Sequence, residues 1–124
     1  MKIKNIMVTD IANIKSDATV AEALLKMRKL GVTSLIVETK NDYGIITRKD
    51  IIHRVVAMNK DIKKTKVSEV MSIPLLYVTD DQRIQDVARL MAKTNIRRFP
   101  VKSKNKLVGL ISNSDIMKLA HSKL

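Results

Sequence analysis

"GIITRKDI" at residues 44–51 and "GLISNSDI" at residues 109–116 are two versions of one phrase, 65 positions apart. Each reads glycine, two apolar residues, a hydroxyl residue, two polar residues, aspartate and isoleucine. The hydroxyl and the aspartate stand three positions apart, which is the spacing of a capping box at the start of a helix. The phrase therefore predicts a strand that ends near the hydroxyl residue and a helix that begins directly after it.

The similarity extends beyond the phrase. At an offset of 64, "IKNIM" (3–7) aligns with "VSEVM" (67–71), and "TVAEALLKM" (19–27) aligns with "RIQDVARLM" (83–91). The offset becomes 65 at the second phrase, so one residue is inserted around 103–108. The chain of 124 residues is therefore a tandem repeat. We expect a first unit at 1–60, a linker at 61–66 and a second unit at 67–124.

The sequence pattern of each unit predicts the element order β-α-β-β-α, and two such units form an α+β fold. In the first unit, Val20, Ala23, Leu24, Met27 and Leu30 recur with helical spacing. Thr19 and Glu22 form a capping box before this helix, and Gly31 follows it as a C-cap. One unit has too little interior to be stable alone, so we expect the two to pack sheet to sheet with pseudo-two-fold symmetry.

The other predicted elements follow from alternating apolar residues and turn signals. In the first unit they are an apolar stretch at 10–15, strands at 33–38 and 43–47 joined by a turn at 39–42, and a helix at 48–59. In the second unit they are an apolar stretch at 75–79, a helix at 83–94, strands at 97–102 and 107–112, and a helix at 113–122.

Composition limits the function. The net charge of +12 favours anionic partners such as nucleotides, nucleic acid or an acidic protein surface, although a solvated lysine-rich surface explains the same charges. The absence of cysteine excludes disulfides and thiolate chemistry. No apolar run reaches the ~18 residues of a membrane span, and the first residues do not resemble a secretory signal. We therefore expect a cytoplasmic protein with no membrane partner.

Catalytic signatures are missing from the sequence. It contains no phosphate-binding loop, dinucleotide fingerprint or zinc-protease motif. His53 and His121 stand at non-equivalent positions of the two repeats, where we expect surface residues rather than bases or metal ligands. The sequence predicts neither an enzyme nor a metal site.

The repeated unit, its tandem doubling and the phrase resemble a pair of CBS domains, the arrangement called a Bateman module. The resemblance covers residues 3–120. It implies a regulatory module that requires no cofactor and binds AMP, ADP, ATP or S-adenosylmethionine in clefts between the units. It further implies that Thr47 and Asp50 bind ribose and phosphate at one site, and that Ser112 and Asp115 do so at the other. The capping role explains the same residues, and the two roles are compatible.

The resemblance also implies residues for the base and the phosphates. The base pocket maps to Ile11, Ala12, Val32, Leu75, Leu76 and Ile96, for which plain core packing is the other interpretation. Arg97 and Arg98 fill the family's basic position before an apolar-Pro-Val run, and an exposed basic pair is the alternative. The first unit has Thr33 and Ser34 there, so the two sites should differ.

Family pairs commonly close into a flat disc of two chains through their helices, which implies a homodimer. The helix at 48–59 supports this, since it carries Ile51, Ile52, Val55, Val56 and Met58. A separate regulated protein is a further expected partner, of unknown identity. The alternative function is a nucleic-acid-binding protein that uses its basic surface, although only Tyr43, Tyr77 and Phe99 could stack on bases. A scaffold with empty clefts is a third hypothesis.

Overall fold

The computed structural model describes residues 1–40, 43–74 and 76–122. Within these residues the chain forms two three-stranded sheets and four α-helices, which confirms the α+β class. The first sheet contains β1 (Asn13–Lys15), β2 (Ser34–Glu38) and β3 (Tyr43–Thr47). The second contains β4 (Val78–Thr79), β5 (Arg98–Ser103) and β6 (Lys106–Ser112). The helices are α1 (Val20–Leu30), α2 (Arg48–Ile51), α3 (Ile84–Thr94) and α4 (Asn113–His121).

The two sheets have the same topology. The first strand of each runs parallel to the second, and the second pairs with the third as an antiparallel hairpin. Alternate residues of each strand pack against the helices, because side chains of a strand alternate between faces. The first core consists of Val20, Ala23, Met27, Leu35, Val37, Ile46, Ile51, Val55, Val67 and Val70. The second core consists of Ile3, Val78, Ile84, Val87, Met91, Phe99, Val101 and Ile111.

The inserted residue of the second repeat is a β-bulge. Val101 pairs with Gly109 and Lys102 pairs with Leu107, so Val108 has no partner across the hairpin. The first hairpin pairs Val37 with Gly44 and Glu38 with Tyr43 without a shift. Val108 therefore accounts for the change of offset from 64 to 65 that the sequence shows.

Residues 61–66, expected to be a linker, are packed against the start of α1. The carbonyl of Thr65 accepts the Val20 N–H at 2.9 Å, and the carbonyl of Ile62 accepts the Ala21 N–H at 2.9 Å. Thr65 is only 7% exposed. The first N–H groups of a helix have no partners within the helix, and this stretch provides carbonyl acceptors for two of them. The stretch thus belongs structurally to the unit that contains α1.

The helix predicted at 48–59 has a different form in the structure. It is α-helical only over Arg48–Ile51 and continues as a π-helix over Ile52–Val56. The Ala57 N–H donates to the carbonyl of Ile52 at 2.8 Å, which is the wider i→i+5 bond. Isoleucine and valine occupy most of this segment, and their branched Cβ atoms crowd the preceding turn of an α-helix.

The compact units have different boundaries from the sequence repeats. One unit is Ala12–Pro74, and the other combines Met1–Ile11 with residues 76–122. Val8 exchanges two hydrogen bonds of 2.9 Å with Leu110 of β6, and Ser72 exchanges two of 2.8 and 2.9 Å with Ile45 of β3. The leading segment of each repeat therefore pairs with the last strand of the other repeat.

The glycine of the repeated phrase makes room for these segments. A β-carbon on Gly109 would lie 2.7 Å from the carbonyl oxygen of Val8, and one on Gly44 would lie 2.7 Å from Sδ of Met71. Both distances are shorter than van der Waals contact. Another segment thus crosses this glycine closely in both repeats, and a β-carbon there would meet it.

Candidate functional site

Thr47 and Asp50 form a reciprocal capping box at the start of α2. The Thr47 hydroxyl oxygen accepts the Asp50 N–H at 3.1 Å, and Oδ2 of Asp50 accepts the Thr47 N–H at 3.0 Å. Both residues are half-buried. The structure thus confirms the capping role that the sequence predicted, and the box fixes the orientation of the carboxylate.

Ser112 and Asp115 form the same box at the start of α4. Oδ2 of Asp115 accepts the N–H and the hydroxyl of Ser112, both at 2.9 Å. The Ser112 oxygen lies 3.3 Å from the Asp115 nitrogen, and Ser112 is 9% exposed. This box has one hydrogen bond that the first does not show, from the serine hydroxyl to the aspartate.

Each aspartate uses only one carboxylate oxygen in its box. Among residues 1–40, 43–74 and 76–122, nothing donates a hydrogen bond to Oδ1 of Asp50 or of Asp115. A carboxylate oxygen accepts up to two hydrogen bonds. Both sites therefore present an oriented acceptor to a hydroxyl-bearing ligand without breaking the cap.

Strand register separates the two candidate arginines. Arg98 pairs directly with Ser112 across β5 and β6, so their side chains lie on the same face of the sheet. Arg97 precedes β5, is exposed, and accepts the Asn113 N–H at 2.9 Å through its carbonyl. In the first unit, Ser34 pairs with Thr47 where Arg98 pairs with Ser112. Of the two arginines, Arg98 is the one that the register holds beside the motif.

The candidate base-pocket residues have mixed surroundings. Ala12 and Val32 pack against the first core, and Ile96 packs against the second. Ile11 is half-buried, and Leu76 is 40% exposed. Leu75 lies outside the described residues. Core packing is thus shown for Ala12, Val32 and Ile96, while contact with a base stays a prediction for all six.

An open groove adjoins the second motif. Its volume is about 340 Å³, and it is lined by Ile6, Asp115, Lys118 and Leu119. Sequence reasoning identified Asp115 but missed Lys118, although residues three apart on a helix share a face. Ile6 could not be found this way, because its position depends on pairing between distant segments.

The histidines lie away from any metal-binding arrangement in the described part of the chain. His53 and His121 are both exposed. No group of three or more potential ligands among the described residues could hold a metal ion. No helix in the same residues is long and apolar enough to cross a membrane.

Two α+β repeats, each with a hydroxyl-aspartate cap between its last strand and helix, define a class of tandem repeat modules. The family model for the CBS domain matches this chain twice, at residues 3–57 and 67–122. The chain belongs to the CBS-domain family.

Known relatives are similar along almost the whole chain. The CBS domain-containing protein YhcV of Bacillus subtilis is 34% identical over 115 residues, which is 92% of this chain and 81% of YhcV. The chain spans only 58% and 43% of two further curated relatives.

Solved structures agree with the fold. The hexameric CBS-CP12 protein from bloom-forming cyanobacteria matches with a TM-score of 0.87 at 38% identity, over 94% of this chain and 66% of that one. The CBS domain pair of protein MJ0100, in complex with 5′-methylthioadenosine and S-adenosyl-L-methionine, matches with a TM-score of 0.84 at 26% identity. That match covers 100% of this chain and 98% of the other.

Proposed function

We propose that this chain is a regulatory module, not an enzyme, that binds adenosine-containing ligands such as AMP, ADP, ATP or S-adenosylmethionine. The observation that carries the proposal is the pair of capping boxes, each of which leaves Oδ1 of its aspartate without a hydrogen bond within the described residues. Two ligands of this class, both containing a ribose, are bound by the related pair of MJ0100.

The chemistry of the motif suits a ribose. A vicinal diol donates two hydrogen bonds, and a fixed carboxylate accepts both. In this proposal Asp50 and Asp115 hold the ribose hydroxyls, while Thr47, Ser112 and Arg98 face the phosphates. Ile11, Ala12, Val32, Leu75, Leu76 and Ile96 are the proposed apolar contacts of the base. Binding regulates only if the ligand favours one conformation or assembly of the protein over another.

The aromatic residues offer little to the alternative of nucleic-acid binding. Phe99 is completely buried in the second core. The Lys102 ammonium lies 4.3 Å from the ring centre of Tyr77 and covers one face of it. Base-stacking platforms of single-strand binders need open aromatic faces. We therefore do not favour a nucleic-acid function for the basic surface.

The test is ligand titration by calorimetry with Asp50→Asn and Asp115→Asn. Asparagine keeps an oxygen for the cap but lacks the charge, so the folds should be retained. Each variant should lose binding at its own site by roughly tenfold to a hundredfold, because hydrogen bonds to a charged acceptor contribute ~1.5–3 kcal/mol.

Asp86→Asn is the matched control. Asp86 occupies the same third position of a helix, α3, but its N-cap residue is Arg83 and no hydroxyl box forms there. Its carboxylate instead accepts bonds from Arg83 and Arg89. Normal binding by all three variants would show that the boxes are only caps.

A further inference from the structure

Lys118 shares the groove beside the second motif with Asp115. The two residues are three positions apart on α4, so they lie on one face of the helix. Ile6 and Leu119 form the apolar part of the same groove. A carboxylate, an ammonium and an apolar surface in one groove match a ligand with hydroxyl donors, an anionic group and an apolar portion.

The Lys118 ammonium is not neutralised by the described residues. Within them, the two ion pairs both involve Asp86, and neither includes Lys118. No hydrogen bond from its side chain to another described residue is present, and the side chain is exposed. Because Asp115 already accepts two bonds from Ser112, it is held in its cap and does not pair with the lysine. The cation therefore remains available to a ligand.

The first unit has no lysine or arginine at the position equivalent to Lys118. At the repeat offset of 65, the counterpart of Lys118 is His53. His53 lies in the π-helix Ile52–Val56, where the wider turn changes the relation to Asp50. Ser34 likewise replaces Arg98 beside the hydroxyl of the motif. The second motif thus has two nearby basic residues, Arg98 and Lys118, at positions where the first has a serine and a histidine.

We propose that Lys118 makes the Asp115 site selective for phosphorylated ribonucleosides over uncharged or sulfonium-bearing adenosine derivatives. The inference rests on the proposed function and names the ligand class of one of its sites. A phosphate gains an attractive interaction with the ammonium, adenosine gains none, and the sulfonium of S-adenosylmethionine is repelled as a like charge. Arg98 on β5 should strengthen the same preference for phosphorylated ligands.

The test uses calorimetry with adenosine, AMP and S-adenosylmethionine on the full chain carrying Asp50→Asn, which weakens the first site. Lys118→Met keeps the aliphatic stem and removes the charge. AMP binding should weaken about two- to fivefold, the range for an exposed ion pair, while adenosine binding should hardly change. S-adenosylmethionine binding should stay equal or become tighter. The loss for AMP should shrink at high salt, since salt screens exposed charges.

Lys93→Met is the matched control, because it removes the same charge from an exposed position at the end of α3, outside the groove. Equal losses for adenosine and AMP, or equal effects of Lys118→Met and Lys93→Met, would overturn the inference while leaving the proposed function intact. If the parent protein prefers S-adenosylmethionine to AMP, the inference is also wrong. Failure of the wild-type chain to bind any of the three compounds, or ADP or ATP, would overturn the proposed function, and this inference with it.

Discussion

Gly109 and Gly44 occupy equivalent places in the phrase but face different neighbours. The nearest atom to a new β-carbon is a backbone oxygen of Val8 at Gly109, and the flexible side chain of Met71 at Gly44. A side-chain terminus can move away, whereas Val8 is held by its two hydrogen bonds to Leu110. Substitution should therefore be tolerated less well at Gly109 than at Gly44.

Gly109→Ala should lower the free energy of unfolding by about 1–3 kcal/mol, the usual range for overpacking. Gly44→Ala should destabilise the protein less, because the Met71 side chain can shift away. Some loss of stability should remain, since the Ser72 carbonyl oxygen lies 3.2 Å from the new β-carbon. Urea denaturation measures both. A larger loss for Gly44→Ala would contradict this account.

Arg98 and Arg97 should differ in their effect on ligand affinity. Arg98 faces the same side of the sheet as Ser112, whereas Arg97 lies exposed before the strand. Arg98→Ala should weaken ATP about tenfold and adenosine much less, because charge-assisted bonds to phosphate contribute ~1.5–3 kcal/mol. Arg97→Ala is the matched control and should have little effect. Titration calorimetry measures these affinities. The prediction is wrong if both variants have the same affinities, or if Arg98→Ala weakens adenosine and ATP binding equally.

At the level of elements, the sequence predicted most helix and strand bounds to within two residues. α1 begins at Val20 and ends at Leu30, as its apolar spacing and caps indicate. The start of α4 follows from the spacing of Ser112 and Asp115. These helix bounds depend on residues that are close in sequence, so they can be predicted from local sequence patterns. The same reasoning found four motif residues whose boxes the structure confirms.

Other features depend on contacts between distant residues. The bridge between Val8 and Leu110 joins segments near opposite ends of the chain, and no periodicity encodes that pairing. The groove beside Asp115 includes Ile6 for the same reason. The π-helix after Ile51 was also missed, because its residues fit a regular helix equally well by apolar spacing.

Arg54 connects this π-helix to the start of the second repeat. Its Nη1 donates to the carbonyl of Val70 at 2.9 Å and lies 3.4 Å from that of Met71. Met71 packs over Gly44, and Ser72 pairs with β3. Arg54 thus holds the segment that crosses the glycine of the first phrase.

Arg54→Ala should lower the free energy of unfolding by about 1 kcal/mol, the typical net contribution of a hydrogen bond. Arg48→Ala, on the same helix, is the control and should stay within about 0.5 kcal/mol of wild type, as exposed substitutions usually do. Chemical denaturation of both variants decides the matter. Equal stabilities would mean that the Arg54 bonds to these carbonyls contribute nothing in solution.

For the whole molecule, the leading segments make each compact unit depend on both repeats. Ile3 is completely buried in the core with Val78 and Phe99, although it belongs to the first repeat in sequence. Val67, its repeat counterpart, is buried in the first core. Neither repeat can complete its core from its own residues, so the pair is the minimal folding module.

The same chain leaves apolar residues uncovered at the end of the first repeat. Ile52, Val56 and Met58 are 57%, 63% and 64% exposed. Ile51 and Val55, also expected at an outer surface, are instead buried in the first core. Several exposed apolar side chains within seven residues are typical of an interaction surface. We propose a second copy of this chain as the occupant of this surface.

Light scattering should therefore return the mass of a dimer at micromolar concentration. Val56→Glu should shift the protein towards monomer and weaken association by about tenfold or more, because a charge at the centre of an apolar contact must lose its water. Since Val56 is exposed in the single chain, the thermal stability of the dissociated protein should be nearly unchanged. Ile73→Glu is the matched control, as it places the same charge at an apolar residue of similar exposure, 55%, outside residues 52–58. A monomer mass for the wild type, or an unchanged mass for Val56→Glu, would exclude this helical segment as the dimer interface.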